Sequence, residues 1–307
     1  NAKTDSTAYK RLEHLCDTYG PRLSGSKNLE RSIEWILQKM KQDNLENVKG
    51  QKVKVPTWVR GQESVMLIKP FKRKLSMLGL GGSISTPKTG ITSDVIVVNN
   101  FDELKIKENE IKGNIVLYNV PFTTYGETVI YRFSGASKAA SFGAKASLVR
   151  SVGPWSMNIP HTGVMAYDEI YPKIPHAALT MEDAMMLGRL YDRGEKITIN
   201  LKMEAKNLPD RWSKNIISEL VGSTFPDEVV VIGGHIDSWD VGQGVHDDAG
   251  GCVAAWDALR LIKNLGLKPK RTIRCVLWTN EENGSRGNQA YRDMVKDQID
   301  NHILAIE

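Results

Sequence analysis

Three short clusters in the last third of the chain combine histidine with carboxylates: Gly234-His235-Ile236-Asp237, His246-Asp247-Asp248-Ala249-Gly250-Gly251 and Asn280-Glu281-Glu282-Asn283-Gly284. Imidazole and carboxylate are donors for divalent metals, and a carboxylate next to a metal site can serve as a general base. His235 and Asp237 stand at i and i+2, so on a strand they point the same way. A carboxylate beside an imidazole fixes its tautomer and makes it a better ligand. That makes His235 a candidate ligand and Asp237 the partner behind it. An aspartate before a helix is the expected cap, which accounts for one of the pair Asp247-Asp248. The reading gives the cap to Asp248 and a position bridging two metals to Asp247. Ala249, Gly250 and Gly251 are small enough for the helix start to pack close to such metals. Glu281 and Glu282, adjacent at a strand end, should point apart, so one can ligate a metal while the other acts as base. Each cluster alone has a plainer reading: a histidine paired with a structural carboxylate, a capped helix, a solvated acidic loop. The three together favour metal-assisted hydrolysis.

All three must be carried by one framework. Residues 215–220, 228–233 and 272–279 are strand-like, and the clusters fall at or beyond predicted strand ends, where open α/β sheets build their sites. Residues 249–264 form an amphipathic helix with Cys252, Ala255, Trp256, Leu259 and Ile262 on one side. Residues 288–296 read as a helix and 302–306 as a further strand. The alternation predicts an α/β sheet with helices on both faces. Near the N-terminus, residues 1 to about 50 read as helical, with Leu12, Leu15 and Cys16 on one face and Ile33, Ile36, Leu37 and Met40 on another. The loop Gly20-Pro21-Arg22-Leu23-Ser24-Gly25-Ser26 separates the two helices.

The middle of the chain differs. Short β-type runs at 95–98, 114–118, 146–149 and 197–201 surround a helix pattern at 137–142, giving a βαβ-like unit. Residues 153–175 hold four prolines and read as loop. This stretch has no cluster of metal ligands. The expected organisation is therefore an α/β/α sandwich from residues 1–70 and 206–307, interrupted by a β-rich inserted domain at 71–205.

Composition narrows the partners. The 307 residues are 41% hydrophobic and 25% charged, ordinary for a folded domain, with a net charge of +5 spread along the chain. Lys268, Lys270, Arg271 and Arg274 cluster at a predicted turn and read as a solvated loop; without an aromatic-interleaved basic stripe there is no support for nucleic-acid binding. No apolar run is long enough for a membrane span. Cys16, Cys252 and Cys275 do not make a disulfide framework, and the latter two read as small buried hydrophobes. The sequon Asn283-Gly284-Ser285 follows the glutamate pair directly, and a glycan there would obstruct a site. The chain begins at Asn1 without an initiator methionine, as a processed chain would.

Together the motifs Gly234-His235-Ile236-Asp237, Asp247-Asp248-Ala249-Gly250-Gly251, Glu281-Glu282 and Gly20-Pro21-Arg22-Leu23-Ser24-Gly25 resemble metallopeptidase family twenty-eight, the zinc peptidases that include bacterial leucyl aminopeptidases and glutamate carboxypeptidases. The middle stretch resembles a protease-associated insert, through Gly113-Asn114-Ile115-Val116-Leu117 and Gly135-Ala136-Ser137-Lys138-Ala139-Ala140. The resemblance implies two zinc ions: His235 on one, Glu282 on the other, Asp247 bridging both through a cis peptide to Asp248. It implies Asp237 behind His235, and Glu281 as the general base. It also implies small unblocked peptides as substrates, a secreted or lysosomal location and a homodimer. The family pattern further needs an aspartate after a Glu-Ser pair on the next strand and a distant histidine. The chain ends at Ala305-Ile306-Glu307, so those ligands are expected beyond Glu307 and the chain as it stands is expected to be poorly active. His246 and His302 could substitute, but the family does not use them. Arg286 is a candidate by position for holding a substrate carboxylate, against a solvated helix-start arginine. Two other readings stand beside this one. A non-catalytic receptor-type relative is disfavoured by the presence of both glutamates. A single-zinc relative that cyclises N-terminal glutamine is disfavoured by the insert.

Overall fold

The computed structural model describes residues 4–307. α1 (Thr7–Tyr19), α2 (Lys27–Gln42) and β1 (Glu46–Val59) open the chain. There follow β2 (Glu63–Lys69), β3 (Arg73–Leu75), β4 (Met77–Gly79), β5 (Ile91–Val98), α3 (Phe101–Ile106), α4 (Glu108–Ile111), β6 (Ile115–Tyr118), α5 (Tyr125–Ser141), β7 (Ala146–Arg150), β8 (His176–Leu179), α6 (Met181–Asp192) and β9 (Thr198–Met203). β10 (Lys206–Leu220), β11 (Phe225–His235), α7 (Gly250–Asn264), β12 (Arg271–Trp278), α8 (Arg286–Val295) and β13 (His302–Ile306) complete it. The chain divides into two compact units, residues 1–57 with 209–307, and residues 58–208.

The first unit is built on a sheet of order β1-β10-β12-β11-β13. Successive strand residues face opposite sides, and both sides are buried. Ile216, Cys275 and Leu277 pack with Leu15, Ile33, Ile36 and Trp256 of α1, α2 and α7. Ile217, Val276 and Trp278 pack with Tyr291 and Val295 of α8. This is the expected helix–sheet–helix layering. α2 shows why it forms: Ser26 caps it by accepting from the Leu29 amide at 3.2 Å, and Leu29, Ile33, Ile36, Leu37 and Met40 recur at helical spacing on its buried face. Each such side chain contributes roughly 1.5–3 kcal/mol when fully buried. The expectation of helix through residue 50 is corrected, because residues 46–50 belong to β1. Val48 and Gly50 are poor helix formers, and a neighbouring strand, β10, is available for pairing.

β11 runs parallel to β12 with His235 opposite Trp278, and parallel to β13 with Ile232 opposite Ile306. The ends of β11 and β12 therefore release residues 236–249 and 279–285 at the same edge of the sheet.

The second unit starts at Trp58 rather than residue 71. The reason is pairing: β2 lies antiparallel to β9, with Glu63 opposite Met203, and to β3, with Val65 opposite Leu75. Its eight strands run β3-β2-β9-β5-β6-β7-β8-β4, and β5, β6, β7 and β8 are parallel. The expectation of a β-rich insert is also corrected. This is an α/β unit, with Ala184, Leu187 and Leu190 of α6 packed on one face and Ala136, Ala139 and Ala140 of α5 on the other. α5 extends well beyond the six residues expected. Its Thr128, Val129, Tyr131, Phe133 and Gly135 are weak helix formers that mask the pattern. The Thr124 hydroxyl, accepting from the Glu127 amide at 3.4 Å, starts it. Gly135 is required by closeness, since a Cβ there would lie 2.9 Å from the Tyr118 ring. Residues 153–175 are largely irregular, as expected. No helix among the described residues is long and apolar enough to cross a membrane.

Candidate metal centre

His235 is the last residue of β11 and is 8% exposed. Its Nδ1 lies 3.0 Å from the main-chain carbonyl of Asp237. A carbonyl only accepts, so Nδ1 carries the proton and Nε2 presents its lone pair. Nε2 lies 3.0 Å from Asp247 Oδ1 and 4.0 Å from Glu281 Oε2. The orientation expected of the Asp237 carboxylate is thus supplied by its backbone. The carboxylate, wholly buried and 4.0 Å from Nδ1, instead accepts from the Glu281 amide at 3.0 Å and the Glu282 amide at 3.2 Å. Asp237 holds the glutamate turn more than it holds the histidine.

Asp247 and Asp248 sit in the turn Val245–Ala249 and are joined by a cis peptide bond. Asp248 accepts from the Gly251 amide at 3.1 Å, capping the start of α7, and from the His235 amide at 3.1 Å. Glycine is required on both sides of this carboxylate. A Cβ at Gly234 would lie 2.2 Å from its Oδ2, and one at Gly251 2.4 Å from its Oδ1. With Asp248 turned inward, Asp247 faces out, its side chain 70% exposed.

Donor atoms of His235, Asp247 and Glu282 lie within 4.8 Å of one another. Burial pushes Glu282 up to about 8, and the charges of Asp247 and Asp237 add to it. Burial likewise raises Asp237 to about 6 against the pull of the two amides it accepts from. Burial alone would lower the His235 pKa, but Asp237, Glu281 and Glu282 outweigh it and the net shift is upward. Carboxylates that raise one another around an imidazole mark a place that a cation would neutralise. Two acceptor atoms 3.0 Å apart, Nε2 and Asp247 Oδ1, also need a proton or a cation to satisfy them. One imidazole nitrogen and two carboxylates suit zinc and neighbouring divalent ions. The residues fit a metal.

Other candidates lie elsewhere. His246 is exposed and is not among the converging donors. His302 bonds the Tyr291 hydroxyl at 3.1 Å and the Gln298 carbonyl. Arg286 is paired with Asp210 at 2.6 Å and donates to the Lys54 carbonyl, at the start of α8. Asn283 of the sequon accepts from Asn280 Nδ2 at 2.6 Å. Three positioning side chains were not read from sequence. Asn280 is wholly buried at φ 63° and donates to Ser24 Oγ at 3.0 Å; Ser24 Oγ in turn lies 3.4 Å from Asp237 Oδ2. Arg22 holds the loop after β11. The available signal was the polar content of the Gly20–Gly25 loop, whose partners lie more than 200 residues away in sequence.

Residues 215–306, the part of the chain that carries this site, match the model of Peptidase family M28. Carboxypeptidase Q of Xenopus laevis is 52% identical over 307 residues, which is 100% of this chain and 66% of that protein. The chain thus spans about two thirds of the length of this curated relative. A zinc aminopeptidase from Bacillus subtilis, 22% identical with a TM-score of 0.70 over 95% of this chain and 65% of that one, shares the fold. The crystal structure of a Peptidase M28 precursor from Shewanella amazonensis matches with a TM-score of 0.94 at 32% identity, covering 99% of this chain and 70% of that chain. With an M28 peptidase followed this closely along almost the whole chain, and the family's own pattern lying over the strands that carry the candidate site, this protein belongs to peptidase family M28.

Proposed function

We propose that the protein is a zinc exopeptidase acting on small unblocked peptides, with two zinc ions held at the edge of the first unit's sheet. The observation that carries this is the convergence of His235 Nε2, Asp247 and Glu282 within 4.8 Å, with Glu281 Oε2 4.0 Å from the same imidazole nitrogen. His235 would hold one ion and Glu282 the other, with Asp247 shared between them. Bound there, zinc supplies Lewis-acid polarisation of the scissile carbonyl and acidifies water. Glu281 takes the proton of the attacking water on its free carboxylate and hands it to the leaving amine. Asp237 fixes where that carboxylate stands, by accepting from the Glu281 amide. The 41% exposure of the Glu281 side chain leaves it open to substrate.

Names of relatives support the same direction: the Xenopus protein is called a carboxypeptidase and the Bacillus one a zinc aminopeptidase. A protease-associated role for the second unit, a homodimer and a secreted or lysosomal location belong to the same proposal and rest on the resemblance.

Zinc content by mass spectrometry and dipeptide turnover, on a chain extended past Glu307 as wild type and as Glu281→Gln, test the reading. Zinc retained in both, with turnover lost by a factor of about 100 or more in Glu281→Gln, is expected. Full turnover in Glu281→Gln would sink the assignment of the base, and a wild type without zinc would sink the metal centre.

A further inference from the structure

Arg22 is 0% exposed. A guanidinium in such a place is costly unless its five N–H donors find acceptors. Nε donates to the Ile236 carbonyl at 2.9 Å, Nη1 to the Gly20 carbonyl at 2.8 Å and the Gln243 carbonyl at 2.9 Å, and Nη2 to the Gly244 carbonyl at 3.0 Å. The backbone joins in: the Arg22 amide donates to Ser238 Oγ at 3.0 Å, and the Ser238 amide to the Arg22 carbonyl at 3.2 Å.

Three of the four carbonyls held by the side chain belong to one loop, the connection between His235 and Asp247. Ile236 immediately follows the histidine, and Gly244 stands three residues before the aspartate. The planar fork of an arginine fixes the spacing of its acceptors, which a lysine ammonium on a flexible stem cannot do. Packing is close at the far end of this grip. Gly244 has φ 57°, and a Cβ there would lie 2.9 Å from Arg22 Nη2 and 2.4 Å from Ser238 Cβ. These bonds all go to carbonyls, so what the side chain fixes is the path of the main chain.

We propose that Arg22 is a positioning residue of the metal centre: by holding both ends of the 236–244 loop it sets the separation of His235 and Asp247. This rests on reading the site as a metal centre. The side chain acts through the main chain of the loop that joins the two residues, by its bonds to the Ile236, Gln243 and Gly244 carbonyls. A merely structural arginine would lower stability without a specific effect on metal affinity, and the two roles separate on that point.

The test measures zinc affinity of the purified protein by competition with a chromophoric chelator, alongside Tm of the metal-free form. The variants are Arg22→Lys, His235→Ala and Met40→Ala, the last a wholly buried residue in the helical layer, used as a stability control. Arg22→Lys is expected to bind zinc about 10- to 100-fold more weakly, the range for loss of a partner that orients a ligand. Met40→Ala is expected to lower Tm and leave the affinity unchanged. Zinc affinity in folded Arg22→Lys equal to wild type overturns the proposal and leaves the metal centre standing. An equal loss in Met40→Ala overturns it as well, since stability then explains the effect. Wild type binding zinc no better than His235→Ala defeats the metal reading itself, and the proposal with it. Should Arg22→Lys fail to fold, Gly244→Ala carries the test, because its methyl would lie 2.4 Å from Ser238 Cβ and 2.9 Å from Arg22 Nη2 and so forces the contacts of both with the loop to shift; the same weakening is expected and unchanged affinity overturns the proposal.

Discussion

Two buried histidines, one in each unit, show how surroundings decide what an imidazole does. His176, first residue of β8 in the second unit, is 0% exposed. Its Nδ1 meets Ser147 Oγ at 2.8 Å and its Nε2 the Tyr131 carbonyl at 3.3 Å. Both ring nitrogens are thus used up by neutral groups. Burial drives its pKa down to about 4, against hydrogen bonds that raise it, and the charge of Arg132 lowers it further. His235 also has one nitrogen tied to a carbonyl, but its other faces Asp247, with Glu281 beyond, and its pKa moves up. The difference lies in what surrounds the second nitrogen. Neutral partners make a structural histidine, whereas a half-open ring of carboxylates makes a candidate metal ligand.

Exchanging each histidine for alanine should break the comparison most sharply. His235→Ala is expected to lose zinc affinity by more than about 100-fold, beyond the loss of an outer partner. His176→Ala is expected to leave zinc affinity alone and to cost roughly 2–4 kcal/mol in urea unfolding, from the cavity and the unpaired Ser147 hydroxyl. Equal zinc loss in both would erase the distinction.

Acid should find His176 next. Its folded pKa, about 4, lies below the unfolded value of 6.5, so between these the unfolded chain binds more protons. The stability that neutral His176 contributes is present above pH about 6.5 and is lost as pH falls toward about 4, a change of about 3 kcal/mol. Unfolding of wild type and His176→Gln across this window, followed by fluorescence, checks it: the glutamine variant should show a shallower decline. An unchanged slope would remove His176 from the account.

Smaller effects test how the carboxylates around His235 are held. Asp237→Asn keeps one acceptor for the two glutamate amides and loses the other. It is expected to cost roughly 1–3 kcal/mol and to weaken zinc about 10-fold, read by unfolding and chelator competition. Asp248→Ala removes the cap of α7 and the acceptor for the His235 amide, for about 1–2 kcal/mol, with a smaller change in zinc affinity than Asp237→Asn. The reverse ranking would mean that the histidine amide, not the glutamate turn, is the more sensitive support.

Much of this site could be read before any fold was in view. His235, Asp247 and Glu282 follow strands of an α/β pattern, and parallel pairing of β11 with β12 brings strand ends to one edge. The capping role of Asp248 was also legible, because a cap has a fixed spacing and Gly251 lies three residues on. The role of the Asp237 carboxylate was not. The i, i+2 rule describes a regular strand, but β11 ends at His235, and past that point the side chain of Asp237 turns to the amides of Glu281 and Glu282. α5 was read too short for a related reason: its β-branched and aromatic residues are weak helix formers, and burial against β6 and β7 outweighs them.

The sequence by itself determined which residue types could bind a metal, which of them stood at strand ends, and where small residues would leave room beside them. Spacing along the chain carries that information, because strand and helix periods and cap positions are local. Only the tertiary structure decided that three of these donors converge within 4.8 Å, and that Arg22, Ser24 and Asn280 hold the loops that carry them. Those contacts join residues more than 200 positions apart, and a buried arginine bonded to main-chain carbonyls leaves no pattern in the residues it grips, since every residue has a carbonyl.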